Sequence, residues 1–249
     1  MKKKEFLYDF YSLSEKEYYI KRELLKKTDF NESYWGTIED PDGIVRNRLE
    51  ERERHLEDLC NEIKYINSLN PGKILDVGCG LGYFLSGVDD AWERFGVEIS
   101  EFCADYAQKW GKIFVGQLED LKFAHNDFDV IVLHHVIEHV ENPINLILEI
   151  KKILKKSGTL LLGTPDFDSG CARLFGKNYR LLNDPTHISL FSNDSMHRFL
   201  RDHGFTIDHV EYPFFNTRHF TDDNLKALFN TSKVSPPFYG NFMTFYCHL

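Results

Sequence analysis

Cysteine is scarce and scattered: Cys60, Cys79, Cys103, Cys171 and Cys247 are the whole set in 249 residues, with no C-x-x-C pair. An odd, dispersed set excludes a disulfide framework and a zinc ribbon and fits a reducing compartment, so a cytoplasmic protein is expected. No apolar run approaches the ~20 residues that span a bilayer. The lysines at 2–4 lead into Glu5, Asp9, Glu15 and Glu17, which interrupt any secretory apolar segment, so neither membrane insertion nor secretion is expected. Basic charge is in deficit, 30 Lys+Arg against 39 Asp+Glu, a net charge of −9. That field opposes a polyanion, so no DNA partner is expected and an RNA partner is disfavoured. Internal repeats and low-complexity tracts are also absent.

The composition itself is ordinary for a folded chain, 42% hydrophobic and 28% charged. The length suits one α/β domain with additions, at roughly 150 residues per domain. Residues 1–70 are polar, dotted with aromatics and charged with both signs, and read as an N-terminal helical cap or lid. Within it Leu49, Leu56, Leu59, Ile63 and Ile66 recur at helical spacing, which predicts one amphipathic helix over 45–69 ending near Pro71-Gly72. Ahead of it, Tyr34-Trp35 forms an aromatic anchor and 40–43 a turn.

Residues 71–249 form the second unit, with short apolar runs alternating with helical patterns as in βα units of a mostly parallel sheet. Strands are predicted at 73–77, 93–98, 112–115, 128–133, 158–163, 205–212 and 241–248. Helices are predicted at 82–88, 100–110, 143–155 and 193–203, the last capped by Ser192 or Asn193 and stopped by Gly204. The stretch at about 213–240 is too long for a hairpin loop and reads as an insertion that covers something.

The strongest local signal is Asp76-Val77-Gly78-Cys79-Gly80-Leu81-Gly82-Tyr83-Phe84, a buried strand running into a glycine turn. Gly78 and Gly80 allow a sharp turn and close approach of backbone to a ligand. Glu98 ends the next strand 20 residues past Gly78, where a carboxylate can accept from two vicinal ribose hydroxyls. Together they point to a nucleoside ligand. A dinucleotide fingerprint would need glycine or alanine at position 83, which holds Tyr83, so a nicotinamide cofactor is disfavoured.

Instead, Asp76 to Gly82 resembles motif I of the class I S-adenosylmethionine-dependent methyltransferases. The stretch 116–121 (GQLEDL) followed by 128–143 (FDVIVLHHVIEHVENP) resembles the third and fourth motifs of that superfamily, and 184–192 (DPTHISLFS) one branch common in bacterial glycan and secondary-metabolite pathways. The resemblance implies a Rossmann-like α/β fold, a seven-stranded mostly parallel sheet with its last strand antiparallel. It implies S-adenosyl-L-methionine as cofactor, bound by Asp76, Gly78, Gly80, Gly82, Tyr83, Phe84, Glu98, Ile99, Gln117, Leu118, Glu119 and His134. In that reading Glu98 takes the ribose, and Gln117 and Leu118 meet the adenine edge. Many relatives carry an acid at position 117, and Gln117 can still accept through its amide oxygen.

By the same resemblance His135, His139 and His187 border the methyl acceptor, and a histidine there can take the acceptor's proton. They equally suit packing and loop-anchoring roles. His135, Glu138 and His139 stand at i, i+3 and i+4, and with His187 resemble the E-x-x-E-H plus distant His metal site of some small-RNA and ubiquinone-pathway O-methyltransferases. Here the first acid is His135, and magnesium prefers oxygen, so no metal is expected. Arg46 and Arg48 can present a cation to the cofactor carboxylate or lie solvated on the helix. Pro213-Phe214-Phe215 and 236–239 suit an acceptor pocket or core.

The expected activity is methyl transfer to a hydroxyl or amine of a small molecule, a sugar, nucleotide sugar or surface-glycan precursor. The alternatives are a metal-assisted O-methyltransferase acting on a quinone-type or RNA 2′-hydroxyl acceptor, and a non-catalytic cofactor-binding partner subunit. The sequence leaves the oligomeric state open.

Overall fold

The computed structural model describes residues 9–23, 35–39, 43, 45–215, 217–237 and 241–249. Tyr34, most of the expected turn at 40–43 and the aromatic pair at 238–239 lie outside the described residues. The N-terminal part opens with β1 (Ile20–Lys21), β2 (Thr37–Glu39) and β3 (Val45–Asn47), the last two paired antiparallel. It then forms α1 (Arg52–Asp58) and α2 (Cys60–Ser68).

The single helix expected over 45–69 is therefore corrected: its start is strand and a 3-10 turn, and Leu59 (φ −103°, ψ 16°) breaks the rest in two. Periodicity saw the continuous apolar stripe but not the break at Leu59, past which Ile63 and Ile66 bury against the sheet together with Leu59.

The second unit continues with β4 (Lys73–Val77), β5 (Glu93–Glu98), α3 (Glu101–Ala107), β6 (Lys112–Val115), β7 (Phe128–His134) and α4 (Pro143–Ile153). It closes with β8 (Leu154–Pro165), α5 (Gly170–Phe175), β9 (Ser189–Leu190), α6 (Asn193–Asp202), β10 (Thr206–Glu211), α7 (Asp222–Ala227) and β11 (Phe242–His248). Seven strands make one sheet in the order β10-β11-β8-β7-β4-β5-β6. β4 pairs parallel with β5 and β7, β5 with β6, and β7 with β8, whereas β11 runs antiparallel between β8 and β10. This is the Rossmann-like arrangement expected, last strand included.

The central strands are apolar on both faces because helices cover both, as parallel sheets require. One face packs Leu75, Ile131, Leu133, Leu160 and Leu162 against α4 and α6, the other Ile74, Val130, Val132 and Leu161 against α2. Caps stand where the side chains suggest: the Ser192 hydroxyl accepts from Ser195 N in a capping box, and Gly204 (φ +89°) stops α6. A second correction concerns 82–88, where only one 3-10 turn (Leu85–Gly87) forms. Gly82 sits at φ +73°, left-handed backbone incompatible with a right-handed helix start.

Strand order reverses between β4 and β7, whose chain continuations run to opposite sides. In open α/β sheets such a switch point opens a crevice at the carboxyl ends of the strands. The glycine turn after β4 and the histidines ending β7 both lie there.

Candidate active site

The turn after β4 is built from left-handed glycines, Gly78 at φ +72° and Gly80 at φ +51°. A Cβ on Gly78 would lie 2.5 Å from Val136 Cγ2, and one on Gly80 would lie 2.9 Å from Trp35 Cη2, so any other residue would clash as well as strain. Gly80 N donates to Glu98 Oε2 at 2.9 Å, and Ser100 N donates to Glu98 Oε1 at 2.8 Å. Two backbone donors thus fix the carboxylate at the end of β5 against the glycine turn. Burial raises the Glu98 pKa, and these hydrogen bonds oppose the rise.

Asp76 is buried behind it, its pKa pushed well up by burial and by Glu98. Ile99 is 53% exposed beside Glu98, an apolar platform, and Gln117 and Glu119 are exposed while Leu118 is buried. Tyr83 and Phe84, expected at the cofactor, are buried instead. Phe84 packs with Leu85, Val88 and Trp92, and the Tyr83 hydroxyl donates to Leu49 O at 2.8 Å. Only the family resemblance named them as cofactor contacts, and past Gly82 the chain turns both side chains into the protein.

At the end of β7 His134 lies over β8, with its Cδ2 2.6 Å from where a Cβ on Gly163 would be, which is why β8 carries glycine there. Burial, then His135 and His55, holds the His134 pKa well below the ordinary histidine value. His135 turns through φ +57° and donates from Nδ1 to Glu138 Oε1 at 3.0 Å. Thr164 Oγ1 donates to Glu138 Oε2 at 3.0 Å, so both oxygens of a carboxylate with no solvent exposure have donors. Burial alone would raise the Glu138 pKa, but the His135 hydrogen bond and the charges of His135, His139 and His187 bring it down to about 2.

His139 donates from Nδ1 to Thr186 O at 3.1 Å, and His187 from Nδ1 to Leu181 O at 2.6 Å. His187 is buried, and burial followed by His139 lowers its pKa to about 4 against the pull of Glu138 and Asp184. The structure thus brings His135, Glu138, His139 and His187 together, but His187 anchors its loop within the protein. Arg22 reinforces that anchor, donating to Asp184 O and His187 O while β1 pairs with β9.

Among the described residues Glu138, His139 and His187 each offer a metal ligand atom within 4.8 Å of one another. Two of these three donors are imidazoles whereas magnesium prefers oxygen, so chelation is expected to leave turnover within twofold. Elemental analysis showing stoichiometric metal, together with loss on chelation, would reverse that expectation.

One residue was not anticipated from sequence. His55 on α1 projects toward the same crevice, its ring 6.0 Å from that of Tyr83 and within the electrostatic field of His134 and His135. Its place beside Leu56 and Leu59, at the border of the apolar stripe, was the only available signal. Arg46, read as a partner for the cofactor carboxylate, is paired with Glu51, and the Arg48 guanidinium lies over the Trp35 ring at 5.7 Å.

Residues 49–210 match a family model described as a methyltransferase domain. The chain belongs to that family. Its fold matches an S-adenosylmethionine-dependent methyltransferase of Archaeoglobus fulgidus with a TM-score of 0.59 at 18% identity, covering 81% of this chain and 98% of that one. An uncharacterized protein of Methanocaldococcus jannaschii is 29% identical over 147 residues, which are 59% of this chain and 64% of that one. The ubiquinone biosynthesis O-methyltransferase of Haemophilus ducreyi is 31% identical over 116 residues, 39% of this chain and 47% of that one. The chain therefore spans less than two thirds of the length of these two relatives.

The domain is a class I methyltransferase domain and its cofactor is S-adenosylmethionine. The glycine turn that no Cβ could enter and the backbone-anchored Glu98 fit that group. Among the described residues no helix is long and apolar enough to cross a membrane.

Proposed function

We propose that the protein moves the methyl group of S-adenosylmethionine to a hydroxyl or amine of a polar small molecule, a sugar or surface-glycan precursor. The observation that carries this reading is the convergence of imidazoles from α1 and the end of β7 beside a buried carboxylate, next to the Glu98-anchored turn. Such a wall offers hydrogen bonds and a proton acceptor to a hydroxyl-bearing molecule. The bound cofactor supplies an electrophilic methyl on a sulfonium. The protein's part is to position the acceptor, exclude water and remove one proton. Glu98 is assigned the ribose diol, Ile99 and Leu118 the adenine, and the turn at 78–82 the methionine moiety.

Incubation with labelled S-adenosylmethionine and a panel of nucleotide sugars, glycan precursors and catechols tests the reading, with label expected in a sugar. Label in none of the polar acceptors would overturn it. A second reading, a quinone-type hydroxyl, is favoured by the identity to the ubiquinone-pathway enzyme and by the exposed aromatics Phe214 and Phe215. Label in the catechol alone would select it.

The ribose assignment has its own test. Glu98→Ala is expected to leave a folded protein whose affinity for S-adenosylhomocysteine falls by about 2–4 kcal/mol, the scale of unpairing a buried charge-assisted contact. Unchanged affinity in calorimetric titration would remove Glu98 from the site.

A further inference from the structure

We propose that His55 is the group that takes the proton from the methyl acceptor, in place of the buried His187; the assignment rests on the methyl-transfer reading above. Three structural facts carry it. His55 is exposed to solvent although protein surrounds it closely enough to strip part of its hydration, which describes a side chain on the wall of a cleft. Among the described residues neither of its ring nitrogens is engaged in a hydrogen bond, so the ring can turn either nitrogen to an acceptor, whereas His135, His139 and His187 are each held through Nδ1 with only Nε2 left to accept a proton. Its position between Tyr83, which follows the glycine turn, and the pair His134 and His135 puts it across the switch point from the carboxyl end of β7.

The charges facing His55 come from every element around it. Burial lowers its pKa most, Asp58 and Glu51 on or before α1 raise it, and His135 just past β7 and Arg46 from β3 lower it. Arg218 from the 213–221 segment offsets Asp58, binding it from Nε and Nη2 at 3.0 and 2.7 Å, and lies 3.6 Å from Glu57. The Tyr83 hydroxyl is turned away onto Leu49 O. The balance keeps the imidazole neutral at pH 7, with a lone pair open to the cleft.

In the step this allows, a lone pair on the acceptor oxygen or nitrogen forms the bond to the methyl carbon. The carbon–sulfur bond breaks with its electron pair going to sulfur, which leaves a neutral thioether. The acceptor's proton passes to the free nitrogen of His55, and the imidazolium releases it to water. His135, held by Glu138, faces the same space and orients the acceptor.

Two measurements test the assignment. In the first, which needs no acceptor, the wild-type protein with S-adenosylhomocysteine is treated with diethyl pyrocarbonate and the modified histidines are mapped by mass spectrometry. His55 is expected to react at least about tenfold faster than His187, since an accessible neutral imidazole is the reactive form. Slow labelling of His55 overturns the assignment whatever the acceptor proves to be.

In the second, His55→Ala is assayed on the acceptor found in the panel. Turnover is expected to fall by about 10²–10³, the range for one acid–base group, with S-adenosylhomocysteine affinity within twofold and an unchanged melting curve. Added imidazole is expected to restore at least tenfold of the loss, because the cleft admits it. Near-normal turnover, or a loss that imidazole does not restore, overturns the role of His55. A wild-type protein that labels no acceptor in the panel overturns the functional reading instead, a result distinct from either.

Discussion

A Gly80→Val protein is expected to fold and yet to lose S-adenosylhomocysteine affinity by more than about a thousandfold, roughly 4 kcal/mol. Two costs add at that one position. Gly80 sits at φ +51°, and left-handed backbone costs an ordinary residue roughly 1–2 kcal/mol, more when it is β-branched. Its Cβ would also fall 2.9 Å from Trp35 Cη2, and an indole wedged among Leu81, Tyr83 and Cys103 has little room to retreat.

Relief requires the turn to move, and the turn is what holds Glu98 through Gly80 N. The cofactor site is therefore lost while the sheet, whose strand pairing does not involve Gly80, stays intact. Calorimetric titration reads the affinity and circular dichroism the fold. Binding within tenfold of wild type would mean that the glycine turn is not part of the cofactor site.

Glu138→Ala should be the most damaging single change on the acceptor side. The carboxylate is fully buried and accepts from His135 Nδ1 and Thr164 Oγ1, so its removal strands two donors and opens a cavity. Breaking a buried hydrogen-bonded charge in this way costs about 3–5 kcal/mol of stability. Glu138 also bonds through its main chain, accepting from Ile188 N at 2.8 Å, which ties the turn after β7 to the loop before β9. His135 would lose its orientation, and turnover is expected to fall by more than about a hundredfold.

The pH dependence follows from the depressed pKa of about 2. A carboxylate whose folded pKa lies below its unfolded value contributes stability that is fully present above the unfolded value and is lost as pH falls through the folded one. The stability gap between wild type and Glu138→Gln is thus expected to be constant above about pH 4.5 and to shrink on acidification toward pH 2. Denaturant titrations at several pH values measure it. A gap that widens on acidification would mean that Glu138 is not ionised in the fold.

How far the sequence could be read differed from element to element. β4, β5 and β6 fall on the predicted residues because each is a short apolar run between turn residues, a local signature, and β4, at the centre of the sheet, is buried along almost its whole length. The glycine turn and Glu98 were legible for the same kind of reason: a tight turn restricts residue type at fixed positions, and the next strand's length fixes where its acid falls. The break at Leu59 and the loss of the helix at 82–88 were not legible, since each is decided by what packs against the segment.

The histidines divide along the same line. Local spacing put His135, Glu138 and His139 together, and the structure joins His135 to Glu138, but across a left-handed His135 ahead of a 3-10 turn at 137–139 rather than along one helical turn. Sequence could not say that His187 would spend Nδ1 on Leu181 O and be buried, because that bond depends on the path of a loop tied to β1. Nor could it say that His55, separated from His135 by 80 positions, would face the same cleft. The sequence by itself determined the sheet, the cofactor turn and the class of chemistry, because backbone conformation and strand burial constrain residues within a short window. Only the tertiary structure decided which histidine stands exposed beside the cleft with neither ring nitrogen tied to the protein, because burial and hydrogen-bond satisfaction are set by groups distant in the chain.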